Sequence, residues 1–79
     1  MLYYNMVNDT INKKDQEEQG ARIIVIEALK KNPRGLSITG LVNFCEIGRG
    51  RVRTALAYLL GAGIIEEERV SMAKLYYLT

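Results

Sequence analysis

Few residues in this chain could carry chemistry. It has no histidine and one cysteine, Cys45. That removes the commonest general base, the commonest zinc ligand and any serine–histidine or cysteine–histidine dyad. No glycine-rich phosphate loop is present, so no catalysis, cofactor or metal is expected. The residues that remain are Arg49, Arg51 and Arg53, three guanidinium groups in five positions with no acid between them. A guanidinium can fork onto phosphate oxygens, or onto O6 and N7 of guanine, through its paired N–H donors. Exposed helix faces normally mix charges at i,i+4, whereas Arg49 and Arg53 repel each other at that spacing. Any one of the three would pass as a solvated surface residue. The unbroken run points instead to an anionic partner.

The charge around them is uneven. The chain of 79 residues carries a net charge of +2, too little to identify a partner. Residues 1–20 hold Lys13 and Lys14 against Asp9, Asp15, Glu17 and Glu18, for −2. Residues 21–63 hold Arg22, Lys30, Lys31, Arg34 and the three arginines against Glu27 and Glu46, for +5. Residues 64–79 hold Arg69 and Lys74 against Glu66, Glu67 and Glu68, for −1. The length suits one small domain with a modest core. No apolar run is long enough for a membrane span and the N-terminus lacks the pattern of a secretory signal, so a cytoplasmic protein is expected.

The elements that must position the arginines follow from periodicity. Residues 1–14 show no clear period and read as an arm or tail, leaving 15–79 as the domain. Asp15 can cap a helix, and Ala21, Ile24, Val25, Ala28 and Leu29 then form one stripe, ending at Asn32-Pro33. A first helix is therefore expected over about 16–31. Ile23 and Ile26 fall partly off that stripe, which fits either a broad buried face or a second contact surface. Ser37 can cap a second helix over 38–45, with Leu41, Val42, Phe44 and Cys45 as its apolar face. Glu46-Ile47-Gly48 reads as a tight turn with Ile47 inward. The third helix, within Gly48–Gly61, has its stripe at Val52, Ala55, Leu56, Leu59 and Leu60 and stops at Gly61-Ala62-Gly63. Ile64–Val70 and Lys74–Thr79 then read as a β-hairpin turning at Ser71-Met72-Ala73.

The order is helix, helix, short turn, helix, hairpin. It resembles winged helix-turn-helix transcription regulators of the MarR, ArsR and DtxR kind. The matching residues are Leu36-Ser37-Ile38-Thr39, Ile47-Gly48-Arg49, and Val52-x-x-Ala55-Leu56-x-x-Leu59-x-x-x-Gly63-x-Ile65. The resemblance covers roughly residues 21–79. It implies an α+β fold of order α-α-α-β-β, a three-helix core with a C-terminal two-stranded wing. It also implies sequence-dependent binding of double-stranded DNA, with the third helix in the major groove.

On a helical wheel the arc opposite the stripe carries Gly50, Thr54, Ala57 and Tyr58, flanked by Arg51 and Arg53. Small Gly50 and Ala57 permit close approach to a duplex. Arg51, Arg53 and Thr54 can reach base edges, and Tyr58 is better placed for the backbone. Arg49, at the helix start, suits a phosphate. Ser37 and Thr39 could meet another phosphate, and Lys30 and Arg34 could add non-specific attraction. Lys74 at the base of the wing is the remaining candidate. The Glu66-Glu67-Glu68 run would repel phosphate, so either those acids point away or the wing contributes little. Cys45 is expected in the core, and one of Tyr76 and Tyr77 should face inward. A homodimer is expected, with Tyr3, Tyr4, Ile23 and Ile26 as candidate contacts. The alternatives are a winged-helix adaptor that binds protein rather than DNA, or a redox- or metal-sensing form of the same domain.

Overall fold

A computed structural model describes residues 18–79 of the chain. The 1–14 arm, Tyr3, Tyr4 and the Asp15 cap lie outside the described residues. Three helices are followed by an antiparallel hairpin: α1 over 18–31, α2 Ile38–Cys45, α3 Arg49–Gly61, β1 Ile65–Val70 and β2 Ala73–Leu78. This α-α-α-β-β order is the expected one and has winged-helix topology. No helix among the described residues is long and apolar enough to cross a membrane.

Local chemistry explains each boundary. At the end of α1 the Asn32 side chain donates to the Ala28 carbonyl at 2.8 Å, and Pro33 stops the helix. Gly35 follows at φ 97°, and a Cβ there would lie 2.9 Å from the Tyr76 carbonyl oxygen. Only glycine lets the chain pass so close to β2. That passage places Leu36 against Tyr76 in a two-bond bridge, with 2.9 Å from each amide to the other's carbonyl. The connector between the first two helices thus covers the outer edge of β2. Periodicity could not show this, because a single bridging residue has no period.

Ser37 caps α2 as expected, its Oγ accepting from the Gly40 amide at 3.0 Å. Between α2 and α3, Glu46 adopts the left-handed conformation at φ 57°, and its amide donates to the Val42 carbonyl at 2.9 Å. A non-glycine residue is strained there. After α3, Gly63 at φ 74° donates to Leu60, and Ile64 donates to Leu59. These paired bonds form a Schellman motif, which closes the helix and aims the chain into β1. In the hairpin Val70 pairs with Ala73 across a two-residue loop, and Ser71 takes φ 59°.

The core joins all five elements. Ala21, Val25, Ala28 and Leu29 of α1 meet Leu41 of α2, the Val52-Ala55-Leu56-Leu59 stripe of α3, Ile65 of β1 and Tyr76 of β2. Ile26, Cys45, Ile47 and Leu60 pack against it half-buried. Tyr76 is the inward tyrosine and Tyr77 the outer one.

Two expected core residues are not in it. Ile24 is 40% exposed and Phe44 49% exposed. Both lie roughly 90–100° around their helices from the buried line, given about 100° per residue. α2 is only eight residues long, so its packing on the core through Ile38, Leu41, Val42 and Cys45 leaves Phe44 at the edge. Ile23 is also exposed, which excludes the broad buried face for that residue, whereas Ile26 turns toward the core.

Candidate nucleic-acid interface

Val52, Ala55, Leu56 and Leu59 of α3 are buried in the core and Leu60 packs half-buried against it, while the opposite arc faces outward. Gly50, Arg51, Arg53, Thr54, Ala57 and Tyr58 are all exposed, as is Arg49 at the helix start. The exposed arc has a low centre and two charged margins. At its centre, Gly50 has nothing within 4 Å of a Cβ position, and Ala57 adds one methyl group. The Thr54 hydroxyl donates back to the Gly50 carbonyl at 3.0 Å, leaving its methyl group and its oxygen lone pairs for another partner.

One margin borders α2. Arg49 donates from Nη2 to Thr39 Oγ1 at 3.3 Å, which links the starts of the two helices. Ser37 caps the same end of α2, so Arg49, Thr39 and Ser37 form one cluster with the first amides of α2. Helix N-termini carry partial positive charge, and the adjacent guanidinium adds a full one. Arg53, one turn along, makes no ion pair among the described residues.

The other margin borders α1. Arg22 of α1 lies over the Tyr58 ring, its Cζ 4.0 Å from the centroid. Beside this pair, Glu18, Ala21 and Arg22 of α1 face Gly50, Arg51, Thr54 and Ala55 of α3 across a groove of about 240 Å³. Arg22 counted toward the basic centre of the sequence but had no role there. Its position depends on how α1 packs on α3, which no spacing encodes.

The remaining candidates are more scattered. Lys30 is exposed on α1 and pairs with Glu27 at 3.4 Å. Arg34 is exposed in the turn before the Leu36 bridge. Among the described residues neither shares a partner with Arg49 or Arg53. Lys74 pairs with Glu67 across the hairpin at 3.1 Å, which offsets its charge. The three acids of β1 are divided: Glu67 lies on the Tyr76 side with Lys74, whereas Glu66 and Glu68 flank Tyr77 on the other. Loss of surrounding water, then the charges of Glu66 and Glu68, raises the Tyr77 hydroxyl above its ordinary pKa. Burial likewise raises the Cys45 thiol, which points to the Ile24 carbonyl at 3.9 Å. A thiol shifted that way is a poor nucleophile at neutral pH.

No family model, no curated protein and no solved structure matches this chain.

Proposed function

We propose that this protein binds double-stranded DNA in a sequence-dependent manner, as a cytoplasmic transcription regulator of the winged helix-turn-helix kind, with α3 in the major groove. The observation that carries this reading is the exposed arc of α3: small residues along its centre and arginines along its margins. A major groove about 12 Å wide admits a helix whose outward ridge is low, and its walls are phosphate. Arg51, Arg53 and Thr54 then face base edges. Arg49, Thr39, Ser37 and Tyr58 face the backbone. Lys30 and Arg34 add long-range attraction, and Lys74 contributes least.

The protein acts as a homodimer, since a single recognition helix offers a small interface and two-fold sites reward two-fold proteins. Ile23, Ile24 and Phe44 support this. They stand exposed around a shallow groove shared by α1 and α2, with Glu27 and Lys31 among its lining. Opposite charges on one patch let it pair with its own copy about a two-fold axis.

The same apolar patch, together with the almost fully exposed Met72 at the hairpin tip, is what favours the second reading, a protein-binding adaptor. Titration of duplex binding against salt separates the two. A DNA-binding protein loses affinity steeply as salt rises, whereas an adaptor shows no such dependence. Arg51→Ala and Arg53→Ala refine the result. Weakening on selected sequences means base reading, and equal weakening on all sequences means phosphate contact.

A further inference from the structure

We infer that Arg22, on α1, is a phosphate clamp that holds the duplex strand opposite the one met by Arg49 and Thr39, and that the Tyr58 ring positions it. This rests on the DNA-binding reading of α3 and adds a residue from outside the helix-turn-helix.

The exposed arc of α3 has two margins. Arg49 and Arg53 lie on one side, while Arg51 and Tyr58 lie roughly 140–180° around the helix on the other, at about 100° per residue. A helix seated in a major groove runs between two backbones. Arg49, tied to Thr39, serves the α2 side. On the α1 side, Arg22 stands beside the exposed arc because its guanidinium lies over Tyr58, 4.0 Å from the ring centroid.

Stacking occupies the face of a guanidinium but not its edge. The N–H donors lie in the plane of the group and stay available to an oxyanion. Among the described residues Arg22 makes no hydrogen bond or ion pair, so the ring is its only such partner there. Arg22 is half-buried, so the stack also restricts a side chain that would otherwise have to be ordered on binding. Glu18 lines the same groove and opposes an anion there. Its charge sets an upper limit on the strength of the clamp and gives the test a variant of opposite sign.

The experiment measures affinity of the full chain for a mixed-sequence duplex of about two helical turns, across a range of salt concentrations. The variants are Arg22→Gln, Arg22→Lys, Tyr58→Leu, Tyr58→Phe and Glu18→Gln, each with its thermal melt recorded to confirm folding. Arg22→Gln should flatten the slope of log K against log salt by about 0.9 and weaken binding about fivefold at 0.15 M salt. Arg22→Lys should keep most of the slope, and Glu18→Gln should tighten binding. Tyr58→Leu should weaken binding more in the wild-type background than beside Arg22→Gln, and that difference marks Tyr58 as the residue that positions Arg22. Tyr58→Phe keeps the ring and should keep the salt slope owed to Arg22, losing only what the hydroxyl itself gives to the backbone. Salt-dependent wild-type binding with an unchanged slope in Arg22→Gln overturns the clamp alone. Loss on Tyr58→Phe equal to that of Tyr58→Leu overturns the positioning role of the ring. Absence of salt-dependent wild-type binding overturns the clamp together with the reading beneath it.

Discussion

The third helix and the hairpin are both exposed and both carry cations, but they dispose of charge in opposite ways. On α3 the arginines follow one another without acids, and the polar partner of Arg49 is a neutral hydroxyl, Thr39. On the hairpin, Lys74 is matched to Glu67, and Glu66 and Glu68 crowd Tyr77. Adjacent parts of one small domain are thus a surface where Arg49 and Arg53 meet no acid among the described residues and a surface where acids outnumber cations. Net charge conceals this, because +2 is what remains of a positive centre between negative N- and C-terminal segments. The useful quantity is which cations are already offset by neighbouring acids.

The largest test of this contrast is to remove cations from each region. Arg49→Ala and Arg53→Ala should each cost about 1–3 kcal/mol of duplex affinity and should lower the salt slope wherever the lost contact is to phosphate. Lys74→Ala should change affinity less than twofold by the same titration, since its charge is already paired (an exposed pair is worth about 0–1 kcal/mol). A loss from Lys74→Ala as large as that from Arg53→Ala would place the wing on the duplex and end the contrast. Glu67→Gln sharpens it: freeing Lys74 should raise affinity modestly if the hairpin lies near the backbone.

A second comparison concerns strain, because each region holds one residue in the left-handed conformation, Glu46 before α3 and Ser71 at the hairpin tip. Glycine relieves about 1–2 kcal/mol of steric cost there, but gives back about 0.5–1 kcal/mol in unfolded-chain freedom. Glu46→Gly and Ser71→Gly should therefore each stabilise the fold by a few tenths to about 1 kcal/mol in chemical denaturation. Glu46→Gly also removes an acid beside the start of α3 and should not weaken duplex binding. A destabilised Glu46→Gly variant would mean that the side chain makes a contact worth more than the strain.

The smallest expected effect is a pH dependence of the hairpin. Tyr77 has its hydroxyl pKa raised in the folded state. A raised pKa means the folded chain keeps its proton when the unfolded chain has begun to lose it. The contribution to stability is therefore complete below about pH 10, the unfolded tyrosine value, and is lost as pH rises through the folded value. Tyr77→Phe should lessen the fall in melting temperature above that pH while leaving the neutral range unchanged. An identical alkaline profile in the variant would remove Tyr77 from the account.

What the sequence disclosed and what it withheld divide along a physical line. Helix limits were legible because local chemistry sets them: Ser37 caps, Asn32-Pro33 stops, and Gly63 turns. The inward face of α3 was legible from period alone, and so was the alternation of Tyr76 with Tyr77. The exposure of Ile24 and Phe44 was not, because a residue at the margin of a stripe is buried only if a neighbouring helix covers it, and α2 is too short to do so. The Leu36–Tyr76 bridge, the Glu67–Lys74 pair and the stacking of Arg22 on Tyr58 are tertiary or cross-strand contacts with no local signature. The arginine margins could be drawn on a wheel, but which helix borders each margin could not.

The central claim is that the exposed arc of α3 meets the phosphate-walled groove of a duplex, and the salt dependence of wild-type binding tests it most directly. With Arg49, Arg22 and the start of α2 on phosphates and Lys30 and Arg34 nearby, log K should fall linearly against log salt with a slope of about −3. A flat dependence, or no duplex binding at low salt from a folded protein, would contradict the account and leave the exposed apolar surfaces of α1, α2 and the hairpin tip as the functional ones.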